Sequence, residues 1–206
     1  MICASIKVKK MSDAIEMLET VPNDYDLVEI WINEIEDLNL ITLKEKAKHS
    51  LLMKVSDCSN QELLRQVIEN GFEYVDIDIE DFDKIKDFHR DKTKLIASYH
   101  DFEGTPDFEK GKAMVERMKN AGADIGKIVC VAKDCHDNLI PLKLLKLTDF
   151  PLISFCMGEH GRLSRVLAPQ CGSLISFIPP DTAWKTADGQ IIYDEWKVIK
   201  ELLFKK

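Results

Sequence analysis

The 206-residue chain is 45% hydrophobic and 31% charged, with nine glycines and seven prolines, a composition that supports a buried core and excludes disorder as its main state. Lys and Arg total 28 against 36 Asp and Glu, so the formal net charge is -8, which disfavours a broad nucleic-acid or anionic-membrane surface. No apolar run approaches the roughly 18 residues of a membrane span, and the start MICASIKVKKMSD places its apolar stretch before its lysines, the reverse of a secretory signal, so the reading is an unprocessed cytoplasmic protein.

A first strand is expected at 2–8 (ICASIKV), followed by a helix in SDAIEMLETV that turns Ile15, Met17, Leu18 and Val21 to one side. Strands follow at 26–32 (DLVEIWI) and 50–55 (SLLMKV). The next helix, NQELLRQVIENG, carries Leu63, Leu64, Val67 and Ile68 on one face and stops at Gly71. Strands at 73–79 (EYVDIDI) and 94–99 (KLIASY) precede a helix in DFEKGKAMVERMKNAG, built on Met114, Val115 and Met118 and ending at Gly122. Further strands are expected at 127–132, 151–156 and 173–178, and the amphipathic YDEWKVIKELLF comes last. Strands alternating with helices imply parallel pairing, and parallel strands covered on both faces read as apolar runs. Eight such units predict an α/β fold, a single (β/α)₈ barrel over residues 1–206, compact beside the ~250 residues typical of such barrels. An open doubly wound sheet is disfavoured because no GxGxxG follows the first strand. The six cysteines are scattered without a CxxC pair and read as small buried hydrophobes of a reducing compartment.

Barrel chemistry sits at the C-terminal ends of strands, so the residues closing each strand are the informative ones. Lys127 heads the apolar run IVCV; desolvation there would lower its pKa and make it an imine-forming amine, the alternative being a stem snorkelling to the strand end. His100 follows an apolar strand and precedes a helix start at Thr105-Pro106; it is either a proton-transfer group or a loop histidine bonded to backbone. Arg165, one of only five arginines, stands near a strand end in MGEHGRLSR, where its planar fork suits a carboxylate; Arg162 competes for that role. Cys156 and His160 have metal-ligand spacing, but no second pair completes a site.

The strings SYHDFEGTP (98–106), GADIGKI (122–128), MGEHGRLSR (157–165), GSLISF (172–177) and ADGQ (187–190) together resemble the type I 3-dehydroquinate dehydratase family, the Schiff-base dehydroquinases of the shikimate pathway of aromatic amino-acid biosynthesis. Their order and spacing agree over essentially the whole chain. The resemblance implies a (β/α)₈ barrel in which Lys127 forms an imine with a ketone of 3-dehydroquinate and His100 moves the proton in a syn elimination of water. It further implies substrate contacts from Glu29, Asp78, Arg165, Thr186 and Gln190. The imine is the electron sink, so no metal or other cofactor is implied, and a homodimer is expected. The sequence departs from the family pattern where Glu-x-Arg reads Glu29-Ile30-Trp31 and where Thr-x-Arg reads Lys54-Val55-Ser56, so two expected arginines are missing unless Lys54 substitutes. The lid reads ADGQ in place of APGQ. These departures keep two alternatives open: a divergent lyase or aldolase acting on another small oxo acid, and a non-catalytic homologue.

Overall fold

A computed structural model describes residues 1–204. Eight parallel strands form one sheet in the order β7-β6-β5-β4-β3-β2-β1-β8 and curl into a nearly closed barrel. They are β1 (Ile2–Ile6), β2 (Leu27–Trp31), β3 (Ser50–Val55), β4 (Tyr74–Asp78), β5 (Lys94–Asp101), β6 (Ile125–Val131), β7 (Leu152–Met157) and β8 (Ser176–Phe177). The seam lies between β7 and β8, where Leu174 N–H reaches Leu152 O at 3.1 Å. On the other side Ser176 and Ile178 donate to Met1 O and Cys3 O, so this short segment alternates its bonds between two neighbours. Pro179 and Pro180 follow, and prolines have no N–H with which to extend the ladder. That is why the strand expected over 173–178 pairs at only two residues.

Helices cover the outside: α1 (Met11–Thr20), α2 (Leu40–Lys46), α3 (Gln61–Glu69), α4 (Phe108–Asn120), α5 (Leu139–Leu147), α6 (Arg162–Cys171) and α7 (Tyr193–Leu203). Several start or stop at residues suited to helix ends. Asn39, Asn60 and Asp107 accept N–H bonds as N-caps of α2, α3 and α4. Gly172 closes α6 in the left-handed region. Between β4 and β5 no α-helix forms; a 3₁₀ turn over Phe82–Ile85 buries Phe82 and Ile85 in its place. This shortened unit is one reason the barrel closes with so few residues.

The core joins the barrel lining to the inner helix faces: Leu18 from α1, Leu64 and Val67 from α3, and Met118 from α4 are all buried against the strands. A smaller cluster of Ile178, Ile191 and Trp196 fastens α7 beneath the β8 end of the barrel. Among the described residues no helix is long and apolar enough to cross a membrane.

Candidate active site

The barrel-facing positions of β2, β3, β4, β5 and β6 carry polar groups in the middle and C-terminal halves of the strands. Alternation along each strand puts Glu29, Lys54, Asp76, Ser98 and Lys127 on that face, and all five are buried. They bond one another. Lys127 Nζ lies 2.7 Å from Asp76 Oδ2 and 3.4 Å from Glu29 Oε1. Lys54 Nζ takes the other oxygen, Asp76 Oδ1, at 2.7 Å and also donates to Ser98 Oγ at 3.0 Å. Glu29 Oε2 accepts from Ser5 Oγ at 2.7 Å and from the Trp31 indole N–H at 3.1 Å.

Above this floor is a cavity of about 130 Å³ lined by Glu29, Trp31, His100, Lys127, Arg165, Thr186 and Gln190, with Phe155, Met157 and Phe177 as apolar walls. His100 is the penultimate residue of β5, opposite Val129 in register, and its ring stacks at 6.1 Å on Phe102. Arg165 enters from the first turn of α6. Its guanidinium lies 4.5 Å from the Phe155 ring centre, and its Nε is buried with no hydrogen-bond partner. The roof is the 186–190 turn. Gln190 Oε1 accepts from Thr186 N–H (2.7 Å) and Ala187 N–H (3.1 Å), which closes the turn on itself. Asp188 O accepts from Gly158 N–H, and Gly189 (φ +76°) packs so closely that an added Cβ would sit 2.1 Å from Gly158 O.

Charges fix the protonation states. Burial works to lower the Lys127 pKa, but Asp76 and Glu29 outweigh it and hold it above the ordinary ammonium value. Burial alone would raise the Asp76 carboxyl; Lys127 and Lys54 reverse that and pull it well below the carboxylate range. Burial, then Lys127 and Lys54, push His100 down to about 3, so the imidazole is neutral in the resting site. Burial lowers Arg165 to about 10, still a cation at neutral pH.

Of the residues singled out in the sequence, Lys127, His100, Glu29, Arg165, Thr186 and Gln190 meet around one cavity. Arg162 does not compete: it faces outward to Glu159 and Glu195. The geometry places three further residues. Asp78 lies one barrel layer above Asp76 and caps Glu80 N–H at 2.9 Å; Asp76, two residues earlier on the same face, is the partner of Lys127. The resting Lys127 amine is buried but not uncharged, because two carboxylates pair with it. Lys54 does not substitute for a missing arginine at the ligand, since its ammonium is spent below the cavity on Asp76 and Ser98. The sequence reading also passed over Ser5. Its signal was period-two alternation: Ser5 is a polar residue within an apolar β1, in register with Glu29.

A parallel barrel with a buried lysine at mid-strand, a neutral histidine on the adjacent strand and an unpartnered arginine above them defines a lysine-dependent barrel-enzyme site for small anionic carbonyl compounds. The sequence profile described as type I 3-dehydroquinase matches residues 2–205, and the chain belongs to that family. A 3-dehydroquinate dehydratase from Pyrococcus abyssi is 31% identical over 219 residues, covering 98% of both chains. One from Methanococcus maripaludis is 29% identical over 98% of this chain and 100% of its own. Against that of Desulfotalea psychrophila the identity is 34% over 145 residues, but the match spans only 66% of this chain and 64% of the relative. The crystal structure of the Clostridium difficile type I 3-dehydroquinate dehydratase with covalently modified comenic acid superposes with a TM-score of 0.85 at 25% identity, covering 98% of this chain and 91% of that one.

Proposed function

We propose that this chain is a type I 3-dehydroquinate dehydratase, a hydro-lyase that converts 3-dehydroquinate to 3-dehydroshikimate and water without a metal or nucleotide cofactor. The observation that carries the reading is the convergence of Lys127, His100 and the unpartnered Arg165 on one cavity. Arg165 pairs with the substrate carboxylate and turns the ketone toward Lys127. The Lys127 amine, its proton passed to His100, adds to the C3 carbonyl; His100 returns that proton to the carbinolamine hydroxyl, which leaves as water and gives a protonated imine with His100 neutral again. That cation draws electrons from the C2–H bond. His100 takes the C2 proton, then returns it to the C1 hydroxyl, which leaves as water from the same face. Hydrolysis of the imine restores the amine. Glu29, held by Ser5 and Trp31, and Gln190 with Thr186 in the roof face the ring hydroxyls.

Borohydride reduction in the presence of 3-dehydroquinate is expected to add the ligand's mass to the Lys127 peptide and to no other. An unmodified Lys127 peptide would defeat this reading. Trp31 lines the cavity where the family pattern has an arginine, and this favours one alternative: a lyase or aldolase on the same barrel for a less hydroxylated oxo acid. Trapping with such acids and not with 3-dehydroquinate would select it. The reading also carries a cytoplasmic location and a homodimer; light scattering at micromolar concentration tests the latter, with twice the 23.6 kDa chain mass expected.

A further inference from the structure

We propose that Lys54 is a positioning residue for imine formation: its ammonium occupies one oxygen of Asp76 so that this carboxylate stays paired when Lys127, on the other oxygen, gives up its proton. The inference rests on Lys127 as the imine-forming amine and adds a residue that never touches the ligand. Lys54 is buried, is absent from the cavity lining, and has both of its polar partners, Asp76 Oδ1 and Ser98 Oγ, in the barrel interior.

The argument is one of charge conservation in a dry place. A buried carboxylate left without a counter-ion is costly, so a carboxylate with a single ammonium partner resists that partner's deprotonation. Asp76 is fully buried, and Lys127 is one of its two ammonium partners. With Lys54 fixed on Oδ1, the charge of Asp76 is already answered. Lys127 can then become neutral without orphaning it. Two ammonium groups on one carboxylate also repel each other, a known way of favouring a free amine. The other groups facing Lys127 do not duplicate this role. From β1 comes the thiol of Cys3, from β2 the Glu29 carboxylate, from β5 the neutral His100, from α6 Arg165 in the cavity wall, and from β8 the Phe177 ring at 4.4 Å. Glu29 pulls the opposite way, favouring the ammonium. Lys54 also contributes, after burial and Lys127, to keeping His100 neutral. The sequence pattern supports a dedicated role, since a lysine at this position interrupts the apolar run SLLMKV toward the barrel interior.

The experiment reads the Lys127 amine without any physiological substrate. Intact protein is methylated with formaldehyde and cyanoborohydride at a series of pH values, and the rate at Lys127 is followed by peptide mass. The rate is proportional to the fraction of neutral amine, so a one-unit rise in pKa slows labelling tenfold at fixed pH. Lys54→Met is expected to slow Lys127 at least about tenfold between pH 7 and 9. Lys54→Arg, which keeps the cation, should stay within about threefold of wild type. Labelling of Lys54→Met at the wild-type rate would overturn the proposal. So would an equal slowing in Lys54→Arg, which would make shape and not charge responsible. Loosened packing would expose Lys127 and speed its labelling, the opposite sign, and faster labelling likewise counts against the proposal. Because formaldehyde is the probe, failure of 3-dehydroquinate to form an imine leaves this test intact and separate.

Discussion

Arg165 is a buried cation whose Nε has no hydrogen-bond partner within the protein. Burial has already drawn its pKa down to about 10. An unsatisfied charged donor costs stability, and a bound carboxylate would supply the missing partner. Arg165→Met is therefore expected to leave the fold as stable as wild type or more so, by up to about 1 kcal/mol in denaturant titration. The same change should raise KM for 3-dehydroquinate roughly 10- to 100-fold, the worth of one charge-assisted hydrogen-bond pair. Loss of stability with unchanged KM would show that the guanidinium serves packing against Phe155 and nothing else. His100 gives a prediction in pH. Its folded pKa is near 3, against an ordinary value of about 6.5. Below pH 6.5 the unfolded chain takes up a proton that the folded one refuses, so stability falls as pH drops, by at most about 1.4 kcal/mol per pH unit. Asp76, also depressed, keeps its contribution down to the unfolded carboxylate range near pH 4, which leaves the window from 6.5 to 4 to His100. His100→Gln should flatten this slope relative to wild type; equal slopes for both proteins would contradict a neutral buried imidazole.

The roof segment is the element on which access turns. Gln190 binds its own turn at Thr186 and Ala187, and Gly189 lies against Gly158 with no room for a methyl group. Gly189→Ala must break this seam, both because φ there is +76° and because the new Cβ would meet a carbonyl oxygen. Kinetics should show a fall in kcat/KM of about 10- to 100-fold, since a displacement near 1 Å suffices for that; a change under twofold would mean that the turn does not shape the site. This seam could not be read from the ADGQ string, because a glycine's need for space depends on a segment thirty residues away. Other elements divide the same way. β5 and β6 were legible because His100 and Lys127 terminate or interrupt apolar runs. α2, α5 and α6 were not, because they are short, carry Pro141 or Pro169, or mix apolar residues around the whole surface; α5 even leaves Leu139 and Leu147 exposed. Asp76 and Asp78 look alike in YVDIDI, and strand register even sets Asp78 opposite Ser98 and Ser98 opposite Lys127; only the side-chain bonds show that Asp76 is the carboxylate that pairs with both lysines. The missing arginines were plainly visible as Trp31 and Ser56. That Trp31 instead props Glu29, while Ser56 ties its backbone to Asn33 outside the cavity, required coordinates.

For the molecule as a whole, the barrel closes through weak links: two residues of β8, one bond across the β7–β8 seam, and the Ile178, Ile191 and Trp196 cluster that binds α7 beneath them. If residues 1–206 are one domain, loss of that cluster must be felt beyond the strand it touches, because no strand of a barrel can leave without opening both neighbours. Trp31 at the mouth of β2 reports from there, separated from β8 by β1. Trp196→Ala removes a buried aromatic and should cost about 3–5 kcal/mol, as large-to-small changes in cores do. The decisive reading is whether the loss is shared. In urea, with Trp184 replaced by Phe in both proteins so that Trp31 is the tryptophan left in the Trp196→Ala variant, its fluorescence and the far-ultraviolet helix signal should move together to a lower midpoint with a single transition. A two-step curve, in which Trp31 keeps the wild-type midpoint while the helix signal loses amplitude early, would divide the chain into separately stable parts. It would also detach the roof, anchored through Ile191, from the floor built on β2 to β6.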